Sequence, residues 1–562
     1  MRFIQWGIWF LLWLSGSVYA ASPGPVVHFQ QTTVQGIYQG QVAAFLGIPY
    51  AQAPVGKLRW QLPKKILAYG PQLDATKMGT VCPQFQNGKF IGKENCLNLN
   101  IYRPKANHLL PVLVYIHGGN NQAGKAQEFN PIDLAKSLNA VIVMINYRLG
   151  VLGFNPMKAI KTNNPIQSSG NFGLLDQAAA LDWVHTNIRQ FGGCSDQVTV
   201  AGFSAGGRDV MAMLISPVFK GKFQHAIVFS GGMTTAGMSQ SQQVFLNAFA
   251  PLVVKEHIKA NLAEAKAWLR QGGHSIRHYL QQMDAKHLAG LMRNAGIRMS
   301  AFPHLYRDGY VLPKVGFNTT RFNSVPVMML SGENEFSIFA LTSHYFSKAF
   351  HDGSLAKTPA LLQQYQFVFH YGGQLYSLFN VQLSAQRMYS HYLAPIYGTE
   401  VQFGTDPYVS GHKMALLGSF HGVFMPLLDK MRYQRFIGNA FQKPGAIDLS
   451  YTFRRYLFHF IRSGNPNGKG LPQWLRWTPQ HNRQGKALLM LNANLHRALI
   501  YMSSKTYDQH DVMNAIKQDH HLSESVKYQL INQVLNGRWF SSLLDKTFHN
   551  PSLWPSSVKG QR

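Results

Sequence analysis

Ser204 lies in Gly202-Phe203-Ser204-Ala205-Gly206, a G-x-S-x-G run, and a serine so placed is a candidate acyl-transfer nucleophile. The flanking glycines permit a sharp turn that lifts the hydroxyl to a helix N-terminus, where the helix dipole favours negative charge. Small residues cluster in many ordinary turns, so the motif takes its meaning from what stands before and after it. A serine hydroxyl needs a base to take its proton and donors to hold the oxyanion. His117-Gly118-Gly119-Asn120 is a glycine turn whose N–H groups can approach an oxyanion unhindered, and the Ala205 amide adds a donor. Two carboxylates, in Ser331-Gly332-Glu333-Asn334-Glu335, follow an apolar run, and Gly418-Ser419-Phe420-His421-Gly422 offers a loop histidine. The chain has 23 histidines, so order and placement rather than residue type single out His421. Glu333 and Glu335 stay level on this ground. In an extended segment, residues two apart point the same way.

Apolar runs lead into most of these groups. Pro111–Ile116 runs into the HGGN turn, Val141–Ile145 into Asn146-Tyr147-Arg148, Val198–Phe203 into Ser204 and Val325–Leu330 into the two carboxylates. Continuous apolar runs ending in glycine and polar residues suit strands of a parallel sheet buried on both faces. Between them Leu174–Gln190 places Leu174, Ala178, Leu181, Trp183 and Ile188 near helical spacing, and Gly192-Gly193 ends it. Strand, helix and strand in succession predict right-handed βαβ units. The chain order serine, acid, histidine is that of an α/β-hydrolase. The expected fold is therefore α/β, a central, mostly parallel sheet flanked by helices, with helical excursions around the site. Residues 235–300 have a helical pattern and are expected to help wall the substrate site. The domain reading is a leader over 1–20, one hydrolase domain over 21–510, and a helical extension over 511–562 packed on the same domain.

The 562 residues are 46% hydrophobic, ample for a large core, and contain no internal repeat. The first 20 residues, with one arginine before an apolar run and small residues at Val18 and Ala20, predict a signal peptide cleaved near Ala20. The alternative is a retained membrane anchor, for which the apolar run is short. Export would place the protein outside the cell or in the periplasm. Of three cysteines, Cys82 and Cys96 lie close together, and a disulfide between them with Cys194 free is the simplest arithmetic. Lys and Arg total 53 against 24 Asp and Glu, a net charge of +29. The positives are scattered and no nucleic-acid motif accompanies them. Such a surface attracts anionic lipids or acidic substrates; equally, it serves solubility alone.

Several long motifs fall in order: FLGIPYAQAPVGKLRW (Phe45–Trp60), ENCLNLNIYRP (Glu94–Pro104), NYRLGVLGF (Asn146–Phe154), GNFGLLDQAAALDWV (Gly170–Val184), GFSAGG, SFHG and, near the end, FHFIRSGNPNG. Through them the chain resembles the type-B carboxylesterases, a family that includes cholinesterases, bile-salt-stimulated lipases and para-nitrobenzyl esterases. The resemblance implies a serine esterase with Ser204 as nucleophile, Glu335 as acid and His421 as base. It implies Gly119, Asn120 and Ala205 as oxyanion donors, a Cys82–Cys96 disulfide, and structural ion pairs Arg59–Glu94 and Arg148–Asp176. Three departures stand out. Phe203 replaces the family's usual glutamate before the serine, and Asn120 replaces the third glycine of the oxyanion turn. The Cys82–Cys96 loop lacks the tryptophan that a choline site would want. The substrate expected is a small-molecule or lipid ester, cleaved without metal or organic cofactor. A lipase acting at anionic membranes and a non-catalytic binding protein on the same scaffold are the alternatives; the oligomeric state stays open.

Overall fold

The computed structural model describes residues 24–293, 295, 297–504 and 506–550, so the expected leader over 1–20 lies outside the described residues. Its centre is one sheet with strands β1 (Ile37–Gln39), β2 (Val42–Pro49), β3 (Asn98–Pro104), β4 (Leu110–Ile116), β5 (Val141–Ile145), β6 (Gly193–Phe203), β7 (His225–Phe229), β8 (Val327–Gly332), β9 (Ile396–Val401), β10 (Leu488–Ala493) and β11 (Ala498–Met502). Across the sheet the order is β1-β2-β3-β5-β4-β6-β7-β8-β9-β10-β11. From β5 through β10 every neighbouring pair is parallel, and antiparallel strands close both edges. This is the α/β-hydrolase arrangement expected from the apolar runs.

Strand alternation explains why those runs are continuous. In β4, Val112, Val114 and Ile116 join one core while Leu113 and Tyr115 join the other. In β5, Val143 and Ile145 face the first core, Ile142 and Met144 the second. A strand covered by helices on both faces must be apolar at every position, and these two are. β6 begins earlier than its apolar run suggests, because Gly193 pairs with Leu110 before a register shift ahead of Val198. The predicted helix over 174–190 is observed at Phe172–Asn187.

Both ion pairs form. Arg59 Nε and Arg148 Nε each lie 2.8 Å from the partner carboxylate, and each guanidinium makes a second contact in the fork geometry that suits arginine. Cys82 and Cys96 are disulfide-bonded across a separation of 14 residues, and Cys194 is a free thiol. Closing a loop of that size stabilises the fold by about 3 kcal/mol in the chain-entropy picture.

Residues 238–290 form the helices Met238–Lys255, Leu262–Gln271, His274–Gln282 and Ala285–Gly290. At the other end, helix Gln509–Gln518 packs against the long helix Pro359–Asn380. The segment after it brings Phe540 against Tyr376, ring centroids 4.5 Å apart, and against Phe336 at 5.5 Å.

Candidate active site

Parallel strands end on a common rim, and in this class of sheet the rim at their carboxyl ends carries the chemistry. β6 ends at Phe203 and helix Ala205–Met213 begins one residue after Ser204. Between them Ser204 adopts φ 55° and ψ −112°, a strained backbone for any residue with a Cβ. Two contacts hold this turn: Ser204 N donates to Phe229 O (2.9 Å), and Arg208 N to Ser204 O (2.9 Å). The glycines are steric necessities. A Cβ on Gly202 would stand 2.2 Å from Gly206 O, and one on Gly206 would stand 2.2 Å from Ile116 O. The hydroxyl is thereby fixed above the sheet, half-buried, at the helix N-terminus.

The HGGN turn follows β4, the strand beside β6. Gly119 has φ 100° and Asn120 φ 57°, and asparagine is among the few side chains that tolerate this left-handed region. That is why asparagine can replace glycine at position 120 without loss of the turn. The amides of Gly119, Asn120 and Ala205, the three expected oxyanion donors, donate no hydrogen bond among the described residues. A network behind the turn holds it in place. The Tyr147 hydroxyl donates to Asn121 Oδ1 (2.9 Å), Asn121 Nδ2 to Asp209 Oδ1 (2.9 Å), and Gln177 Nε2 to Asp209 Oδ2 (2.6 Å). Burial pushes the Asp209 carboxyl up to about 6. From the other side Gly118 N donates to Glu128 Oε2 (3.1 Å), which also accepts from the Tyr115 hydroxyl (2.8 Å). Burial pushes Glu128 up to about 7.

β8 ends at Gly332, and residues 333–336 are a turn, not extended strand. Alternation therefore does not apply, and the two carboxylates diverge. Glu335 is fully buried, with Oε2 2.5 Å from His421 Nδ1. Its Oε1 accepts from Gly332 N (2.8 Å) and from the Ser230 hydroxyl. Glu333 instead meets Gln402 Nε2 at 3.3 Å, and burial raises its carboxyl. The acid turn and the histidine loop are sewn together: Ser419 N donates to Asn334 Oδ1 (3.0 Å) and Asn334 N to Ser419 O (3.2 Å). A Cβ on Gly332 would lie 2.0 Å from Ser419 O, so this close approach requires glycine.

The His421 imidazole is enclosed by rings. Phe203, Phe339 and Tyr376 have centroids 4.9, 5.0 and 5.6 Å away, the last stacked. Its Nε2 is buried and has no hydrogen-bond partner among the described residues. Phe203 is the residue before Ser204, so its contact with the ring brings histidine and serine to one stretch of the rim. His117, by contrast, stacks on Tyr147, and burial lowers it to about 4, which keeps it neutral near pH 7.

Phe203→Glu should move the acidic limb of the pH–kcat/KM profile to higher pH. A carboxylate at this distance favours imidazolium, so a higher pH is needed to free the base. A profile unchanged from wild type would show that position 203 does not sense the histidine.

Sequence reasoning missed Ser230, Asn121, Asp209, Glu128 and Arg208. Arg208 and Asp209 directly follow the G-x-S-x-G-G run, and a charged pair inside an otherwise apolar helix start was a visible signal. Among the described residues no cluster of His, Cys, Asp or Glu is arranged to hold a metal.

The family described as the carboxylesterase family matches residues 23–366. Carboxylesterase 1D of Rattus norvegicus is 31% identical over 524 residues, 81% of this chain and 88% of that protein. The para-nitrobenzyl esterase of Bacillus subtilis (strain 168) is 39% identical over 226 residues, 38% of this chain and 45% of that one. A solved PNB esterase superposes with a TM-score of 0.63 at 25% identity, covering 85% of this chain and 97% of the other.

Proposed function

The chain belongs to the carboxylesterase family, and from that membership we propose that Ser204, His421 and Glu335 carry its ester hydrolysis. The protein is a carboxylic ester hydrolase of the serine type. The observation that carries the residue assignment is the 2.5 Å contact of His421 with Glu335 beside the strained serine turn. His421 removes the Ser204 proton as the hydroxyl attacks the ester carbonyl. Glu335 holds the imidazole with Nδ1 protonated and stabilises its positive form. The Gly119, Asn120 and Ala205 amides hold the oxyanion; alcohol leaves with a proton from His421, and water repeats the sequence on the acyl-enzyme.

An organophosphate such as paraoxon should label the protein once per chain. Peptide mapping should find the adduct on Ser204. Labelling of any other serine would overturn the assignment.

Export is part of the same reading. The buried Cys82–Cys96 disulfide supports an oxidising compartment, secreted or periplasmic, in line with the leader read from residues 1–20. Among the described residues no helix is long and apolar enough to cross a membrane. The charge of +29 supports electrostatic attraction to anionic surfaces, where lipid esters would be the substrates.

A further inference from the structure

One turn after the nucleophile, helix Ala205–Met213 carries a cation that ester hydrolysis as described above does not use. Arg208 is 2% exposed. Helical side chains tilt toward the N-terminus, so its guanidinium reaches back toward the level of Ser204. There Nη2 donates to Asn120 Oδ1 (3.0 Å), and the guanidinium carbon lies 4.4 Å from the Trp539 ring centroid. Nη1 is buried and has no hydrogen-bond partner among the described residues.

An arginine keeps its charge, and a buried charge normally has an anion beside it. Here the neighbouring acids are committed elsewhere. Both oxygens of Asp209 accept from Asn121 and Gln177, and Glu335 serves His421, Ser230 and Gly332. Position 203, next to the nucleophile, is phenylalanine. Among the described residues no carboxylate forms an ion pair with Arg208 within 4.0 Å. Its charge also acts on the buried His304, whose Nδ1 faces Phe302 O (2.9 Å) and whose Nε2 has no partner among the described residues. Unpartnered polar atoms therefore gather around one guanidinium, beside the turn expected to hold the oxyanion.

We propose that Arg208 receives a carboxylate of the substrate, so that the enzyme prefers esters bearing a negative charge a few atoms from the scissile bond. The free guanidinium N–H is a charged donor, which suits an anion and repels a cation. The carboxylate belongs either to the acyl part, as in a monoester of a dicarboxylic acid, or to the alcohol part, as in an ester of a hydroxy acid. The proposal rests on Ser204 being the nucleophile.

The test compares kcat/KM for charged and neutral esters of similar length. One arm sets para-nitrophenyl hemiglutarate against para-nitrophenyl hexanoate, and the other sets butyryloxyacetate against ethyl butyrate. Wild-type protein should favour the charged ester in one arm, which identifies the side that carries the carboxylate. In Arg208→Gln that charged-to-neutral ratio should fall about 10- to 100-fold, the loss expected for one charged hydrogen bond. Should that variant not fold, competitive inhibition of wild type by glutarate or glycolate, with acetamide inert, decides instead. The proposal is overturned if wild type favours neither charged ester, or if Arg208→Gln slows both members of a pair equally. The second result would assign Arg208 to holding Asn120. A failure of the nucleophile assignment would look different: Ser204→Ala would still turn over neutral esters.

Discussion

Ser204→Ala should lower kcat on a neutral ester by about a millionfold, leaving only what binding and the oxyanion donors supply. The fold should survive, because the hydroxyl is half-buried and the structural contacts of Ser204 are made by its backbone. Ser204→Gly separates catalysis from strain. At φ 55° and ψ −112° a Cβ is unfavourable, and glycine relieves it. The glycine variant should be as inactive as alanine yet more stable, by about 1 kcal/mol in urea unfolding. Near-normal turnover by either variant would place the nucleophile elsewhere. A glycine variant less stable than alanine, by the ~0.4–1 kcal/mol of backbone entropy that glycine costs at an unstrained position, would mean that the turn is not under strain.

Much of this site was legible because its parts obey local rules. The apolar runs before His117, Ser204 and Glu333 could only be strands covered on both faces, and their ends had to meet on one rim. Glycines at 202 and 206 announced the sharp turn at Ser204, whereas the close approach of Gly332 to Ser419 O was not read. Long-range pairing was not legible. Ser230 reaches Glu335 from 105 residues away, and Trp539 reaches Arg208 from a segment whose sequence showed only helical pattern. Asn120 stood out only as a departure from glycine; its φ of 57° makes it a tolerated substitute. Alternation could not choose between the two glutamates, for a local reason. Alternation governs strands, and the strand ends one residue before Glu333.

That choice gives the second large effect. Three donors converge on Glu335: the Ser230 hydroxyl, the Gly332 amide and His421 Nδ1. A carboxylate satisfies all three with two oxygens, whereas the amide of Glu335→Gln has one oxygen and one NH2. If its oxygen stays with Gly332 and Ser230, the NH2 faces His421 and forces Nδ1 to accept. The proton then moves to Nε2, the nitrogen that must be free to take the serine proton. If the amide flips to serve His421, its NH2 meets the Gly332 N–H, and a buried donor is left unpaired. The first arrangement costs less, so the histidine should be trapped in the inactive tautomer. Turnover should then fall by about ten-thousandfold at neutral pH. Glu333→Gln meets no such conflict, since among the described residues its carboxylate accepts only from Gln402 Nε2, at 3.3 Å, and an amide oxygen accepts there equally well. It also removes a negative charge that helps raise Glu400, which burial and this neighbour push up to about 7. Glu333→Gln should therefore keep kcat within about threefold of wild type, the range of an ordinary non-catalytic substitution. If steady-state kinetics on the two purified variants came out reversed, Glu333 would be the acid and the 2.5 Å contact of Glu335 with His421 would be structural only.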